Sequence, residues 1–339
     1  MKKNKLFIGA LALLMAFTTA CSSKTENTTT TSQDKDTFTY AINSDPSSTN
    51  PINVSDRWGL TMTNMIYSPL IRVEGDGSLV NELAESTELA KDGLSLTVNL
   101  KKGIKWSDGQ DFTADDVVFT YETKAKKENG NFKSLWINDK PITVEKKDDH
   151  TVVFKFPEPS AAAANNIATE TYIIPKHIYG KVSDFSVKDL QEKPVGTGPY
   201  KLVENKRGEY IKFEANENYY KGKPKVKNVV LRVIQSADTT KVALQKGEID
   251  ASYVLPTDIK DLDTNKLDVY SYSENRIGYL GLNTKTNELK DVKVRQAILY
   301  ALNKGDMNKA AYLDEKYYQN PYSILPPNNP YKTDDVEKY

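Results

Sequence analysis

The chain has 339 residues, enough for two ordinary domains or one large discontinuous one. Lys+Arg and Asp+Glu number 46 each, so no overall field points to nucleic acid or to acidic substrates, and a nucleic-acid role is set aside. An apolar fraction of 38% with 10% aromatics fits a globular body, and twenty tyrosines against ten phenylalanines tilt the aromatics toward amphipathic surfaces.

Residues 1–20 read as a targeting segment rather than as part of the fold. Lys2, Lys3 and Lys5 form a basic start, Leu6 to Phe17 an apolar run, and Thr18-Thr19-Ala20 a small-residue stretch before Cys21. The run is too short for a permanent span, which needs about 20 apolar residues. Cys21 is the only cysteine, so an internal disulfide is impossible. The arrangement resembles a bacterial lipoprotein signal, with Thr18 where that pattern usually carries leucine. The resemblance implies that Cys21 is lipidated and becomes the mature N-terminus. Residues 21–36, "CSSKTENTTTTSQDKD", bury too little to offset ordering and read as a tether. Together these features place the folded body outside a membrane.

The body opens with "TFTYAI", residues 37–42, a strand with Phe38 and Tyr40 alternating. A loop follows, then a helix from Leu60 to Ile66 ending before Pro69, and a hairpin over 70–80 around Glu74 to Gly77. Leu94, Leu96, Val98 and Leu100 give the next strand its period of two. "HTVVFKF" (150–156) is another strand, stopped by Pro157. Residues 200–216 form a hairpin with Tyr200 and Leu202 facing Ile211 and Phe213. "NVVLRVI" (228–234) reads as a strand covered on both faces. A helix from about Thr239 closes at Gly247 in the left-handed cap position, and "EIDASYV" follows as a strand. The last element is a helix capped by Asp291, with Val294, Ala297, Ile298, Ala301 and Leu302 on one stripe. Irregular alternation of strands and helices indicates a mixed α/β fold without internal repeats.

Little in these letters supports catalysis. "GIKWSDGQDFTADDVVFTYE" (103–122) lacks the carboxylates at positions 1, 3 and 5 and the closing glutamate of a calcium loop. It reads instead as a corner: Asp108 and Gly109 make a turn, Thr113 and Asp116 a capping pair, and Phe112 and Val117 a hydrophobic staple. His150 and His177 stand outside any metal-binding spacing. No nucleophile elbow or Walker loop is present, and Pro199 argues against a phosphate loop in "VGTGPYK". No enzyme activity, cofactor or metal is expected.

Six stretches, "MIYSPLIRVEGDGSLVNELAES", "LKKGIKWSDGQDFTADDVVFTYE", "PVGTGPYKL", "NENYYKGKP", "ALQKGEIDA" and "YLGLNTKTNELKDVKVRQAILYALNK", resemble in order and spacing the family 5 solute-binding lipoproteins of bacterial ABC importers. These are the oligopeptide- and dipeptide-binding proteins. The resemblance implies a type II periplasmic-binding-protein fold of two lobes, with an extra subdomain in the first. Residues 37–52 and 171–275 would form lobe I, 53–170 the subdomain, and 276–339 the start of an incomplete lobe II. It implies capture of extracellular peptides by a monomer on the outer face of the cell membrane, a Gram-positive cell surface, and delivery to permease subunits. The family's ligand positions fall on Asn53, Val54, Ser55 and Asp56, on Tyr253 and Val254, and on Tyr279 near the hinge. Each is equally compatible with ordinary loop or core. Other relatives take oligosaccharides, opines or nickel chelates, and peptide sensing without transport is a further alternative. The resemblance also implies a truncated chain, since members continue beyond this point and only a proline-rich tail follows the Asp291 helix.

Overall fold

The computed structural model describes residues 36–48, 50–74, 78–129, 132–160, 167, 171–182, 190, 192–272, 277–320, 322–325, 329, 332–333 and 335. Cys21, the targeting segment and nearly all of the tether lie outside them. The chain runs β1 (Thr37–Ile42), α1 (Arg57–Ile66), β2 (Ile71–Val73), β3 (Leu79–Asn81), β4 (Ala84–Leu89), β5 (Ser95–Leu100) and α2 (Ala114–Lys124). Then come β6 (Trp136–Ile137), β7 (Lys140–Pro141), β8 (Thr143–Asp148), β9 (Thr151–Lys155) and α3 (Lys176–Tyr179). Next are β10 (Tyr200–Lys206), β11 (Tyr210–Ala215), β12 (Asn228–Val233), α4 (Ala237–Lys246) and β13 (Ala251–Ser252). α5 (Pro256–Ile259), α6 (Val292–Ala301) and α7 (Lys304–Tyr312) complete the order.

Two sheets dominate. The first has the order β10-β11-β12-β1-β13. β1 pairs parallel with β12, Thr37 opposite Asn228 through Ile42 opposite Val233, and with β13 through Tyr40 opposite Ala251. β12 is buried on one face at Val229 and Leu231, but on the other only Val230 is half-buried while Asn228 and Arg232 are exposed, where a full cover was expected. The β10–β11 hairpin sets Leu202 opposite Phe213 and, in regular register, Tyr200 opposite Ala215, while a bulge after Leu202 moves Ile211 opposite Asn205. The expected long strand at 248–254 shrinks to β13, because only two of its residues reach the edge of β1.

The second sheet, β4-β5-β9-β8, is antiparallel. Leu96, Val98 and Leu100 alternate inward, as a period of two demands, and meet Val152 and Phe154 beneath α2. Tyr121 of α2 stands edge-on to Phe154 at 4.7 Å. The Asp116 carboxylate accepts from the backbone N–H groups of Thr113 (3.0 Å) and Lys176 (2.9 Å) and from the Trp106 indole. Asp108 meets His177 at 2.8 Å, and Asp115 pairs with Lys146 and Lys176. The acids of the 103–122 stretch therefore serve the corner. "VGTGPYK" is a close-packing element: Gly198 donates to the Ile66 carbonyl at the end of α1 (2.8 Å), and Gly196 lies against the same carbonyl.

Glu82, its side chain only 7% exposed, joins distant segments. It accepts from Arg72 (3.1 Å) and from the Tyr220 hydroxyl (2.6 Å), and it pairs with Lys221. α6 and α7, by contrast, contain no buried residue. Asp291 caps α6 through the Lys293 N–H at 2.8 Å, so its local signals are satisfied while its apolar stripe is not. Among the described residues no helix is long and apolar enough to cross a membrane.

Candidate functional site

The site follows from alternation along β1. Tyr40 and Ile42 join the core that packs α1, through Met62 and Ile66, against Ile211, Phe213, Val229 and Leu231. Ala41, pointing the other way, joins Ile234, Ala243, Leu244 and Ile249 beneath α4. Connections from the carboxyl ends of the neighbouring parallel strands β1 and β12 therefore leave on opposite faces. In open α/β sheets such a switch point leaves a crevice at the carboxyl edge, where ligands bind.

α1 enters this edge three residues before the expected start. Asp56 is its N-cap, accepting from the Gly59 N–H at 2.9 Å and from the Ser47 N–H and hydroxyl. Burial alone pushes the Asp56 carboxyl up, but these donors outweigh it and hold it below the ordinary aspartate value. Gly59 is required because a Cβ there would meet Val54 and would stand 2.6 Å from the Asp56 carboxylate. Capping puts Arg57 and Trp58 in the first turn, beside the strand ends. The Trp58 indole donates to Asn43 Oδ1 at 2.6 Å, and its ring lies 6.2 Å from that of Tyr40. Arg57 Cζ lies 5.0 Å from the Tyr253 ring and 5.9 Å from the Trp58 ring. Two elements more than 190 residues apart thus share one cationic, aromatic patch.

The sequence candidates fall in different places. Asn53 and Ser55 are exposed on the loop, whereas Val54 is 4% exposed and wedged against Gly59. Tyr253 is 39% exposed at the patch, while Val254 packs toward the α4 core. Tyr279 is 87% exposed, in a segment without regular structure. Sequence reasoning passed over Tyr40, Asn43, Arg57 and Trp58. The spacing of Asp56 to Gly59, which marks a cap followed by a first turn, was the available signal. Among the described residues no group of three or more His, Cys, Asp and Glu side chains could hold a metal.

Residues 78–339 match the model of the bacterial extracellular solute-binding proteins, family 5 Middle. The chain belongs to this family. It is similar to the oligopeptide-binding protein AppA of Bacillus subtilis, 36% identical over 322 residues, which are 90% of this chain and 58% of that protein. Among solved structures it resembles the ABC transporter substrate-binding protein CtaP of Listeria monocytogenes. That likeness has a TM-score of 0.84 and 37% identity, and covers 91% of this chain and 63% of that one. The B. subtilis AppA structure, in complex with a nonapeptide, gives a TM-score of 0.77 and 31% identity, covering 89% of this chain and 60% of AppA. The chain thus spans about three-fifths of the length of these relatives. Family 5 members are binding proteins rather than enzymes, and the mixed α/β architecture is that of the type II periplasmic-binding class.

Proposed function

We propose that this family 5 protein captures peptides outside the cytoplasm and delivers them to an ABC import permease, anchored through a lipid on Cys21. The observation that carries the reading is the aromatic and cationic patch at the carboxyl edge of β1 and β13, at a switch point that the nonapeptide-bound relative shares in fold. Backbone hydrogen bonding grips an extended peptide without reading its sequence, and aromatic faces accept varied side chains.

The five-stranded sheet forms the ligand-facing part of lobe I, and α1, expected within the 53–170 subdomain, is assigned to lobe I instead because it shares that sheet's core. The four-stranded sheet forms the subdomain, and residues from about 276 begin lobe II. Asn53, Ser55 and Asp56 shape the lip, Val54 and Val254 brace it from behind, Tyr253 faces ligand, and Tyr279 lies at the hinge. Hinge closure then shields the peptide from water.

The test is mass spectrometry of ligand co-purifying from its host, followed by calorimetry with the peptides found. Peptides released on denaturation and rebinding with saturable heat support the proposal. Recovery of an opine, a sugar or a metal chelate, with no heat from peptide pools, overturns it.

A further inference from the structure

We infer that Lys241 is a positioning residue of the crevice: by clamping α5 to α4 it fixes where Tyr253 meets the bound peptide. The inference rests on the peptide-binding reading and deepens it. Tyr253 stands in a three-residue link, Tyr253 to Leu255, between β13 and α5. One end of the link is held by the pairing of β13 with β1. Its middle is held by Val254, which packs toward the α4 core. The other end is α5, a single turn with no buried residue, too short to persist on its own.

α4 supplies the hold that α5 lacks. Lys241 and Gln245 lie one turn apart on α4 and so share a face. Lys241 Nζ reaches Asp258 of α5 at 3.4 Å and Asp261, just beyond it, at 3.0 Å. Gln245 Nε2 donates to the Asp261 carbonyl at 2.9 Å. Asp238, on the preceding turn of α4, stands 3.0 Å from the same ammonium, whose three donors thus face three carboxylates. The Lys241 side chain is only 14% exposed, which spares these pairs much of the screening that weakens surface ion pairs. With both ends of the link fixed, Tyr253 has few conformations to choose from, and its ring stands 5.0 Å from Arg57 Cζ at the patch. Release of α5 passes directly to that ring.

The test is calorimetry on the full chain with a peptide that co-purifies with it, alongside urea midpoints. Lys241→Met should weaken binding on the order of 10-fold at a temperature where the chain stays folded, as expected for coupled groups. Lys241→Arg should restore most of the affinity. Asp258→Asn is a milder release, in which Lys241 keeps Asp238 and Asp261, and should give a smaller loss of the same sign. It decides the question if Lys241→Met fails to fold. The discriminating readout is a double-mutant cycle: in a Tyr253→Ala background neither substitution should weaken binding further. A lower urea midpoint with unchanged affinity, or the same loss with and without Tyr253, overturns the positioning role and leaves peptide binding standing. So does a Tyr253→Ala chain that binds as tightly as wild type. A wild-type chain that gives no heat with peptide overturns both readings.

Discussion

Gly198→Ala probes the joint that orients the patch. A Cβ at Gly198 would stand 2.6 Å from the Ile66 carbonyl carbon and from the Met65 oxygen, where ordinary contact begins at 3.4 Å. Both atoms are backbone at the end of α1, so the helix would have to retreat by about 0.8 Å, the shortfall in that contact. Two hydrogen bonds are put at risk, Gly198 N–H to Ile66 O and Asn216 Nδ2 to Gly198 O, each 2.8 Å. At about 1 kcal/mol each, with overpacking of about 1–3 kcal/mol, the loss is about 3–5 kcal/mol. Relief of glycine's unfolded-state entropy returns about 0.4–1 kcal/mol. The net cost is about 2–5 kcal/mol, a fall in urea midpoint on the order of 1 M at a slope of about 3 kcal/mol/M. Gly281→Ala is the control, because its nearest neighbour is the Tyr279 ring at 4.0 Å. The assay is urea unfolding followed by tryptophan fluorescence, with Trp106 fully buried in the adjoining core. Equal midpoints for Gly198→Ala, Gly281→Ala and wild type would refute the close-approach argument.

Three other outcomes are expected. Burial raises the Glu82 carboxyl, but Lys221, Tyr220 and Arg72 outweigh it and hold it below its ordinary value of 4.5. Its stabilising contribution is therefore present above that value and fades as pH falls through the lower folded value. Glu82→Gln should cost about 1–3 kcal/mol near neutrality, because Arg72 and Lys221 keep access to water. The gap to wild type should close in acid melts, and a gap that widens there contradicts the sign. Asp56→Ala should cost about 1 kcal/mol through the lost cap and should also weaken ligand binding by loosening the first turn of α1 at the aromatic patch. Unchanged calorimetric affinity would separate cap from crevice. Cys21→Ser should move the protein from the membrane fraction to the medium in an immunoblot, and retention on cells speaks against the lipid anchor.

Local chemistry made much of the fold legible. β1 matches its expected bounds because Phe38 and Tyr40 alternate beside an unmistakable loop, and Gly247 takes the left-handed cap at φ 69°. The α1 start was missed because Arg57 and Trp58 interrupt its apolar period, while its signal sits in Asp56 outside the helix. Tyr200 pairs with Ala215 because antiparallel register runs outward from Leu202–Phe213, whereas the bulge after Leu202, which leaves no mark in the strand pattern, moves Ile211 opposite Asn205. The glycines of "VGTGPYK" answer to a carbonyl 130 or more residues away. Nothing local could show that. The patch was hidden for the same reason: Arg57 and Tyr253 meet only because β13 lies beside β1 in the sheet.

The position of β1 also governs when the protein can fold. This internal strand is made well before either of its partners, since β12 begins at Asn228 and β13 at Ala251. At about 5–20 residues per second, β1 waits on the order of 10–40 s for β12 to be synthesised. In that interval it offers two unpaired edges and the apolar faces of Tyr40 and Ile42. The antiparallel sheet from β4 to β9, whose pairings are all internal to residues 84–155, can close meanwhile. Its completion shortens the effective loop that β1 must bridge, which lowers the entropic barrier to the last pairing. Chaperone dependence should accordingly track the lifetime of free β1, and substitutions that slow closure of the inner sheet should appear first as aggregation during synthesis.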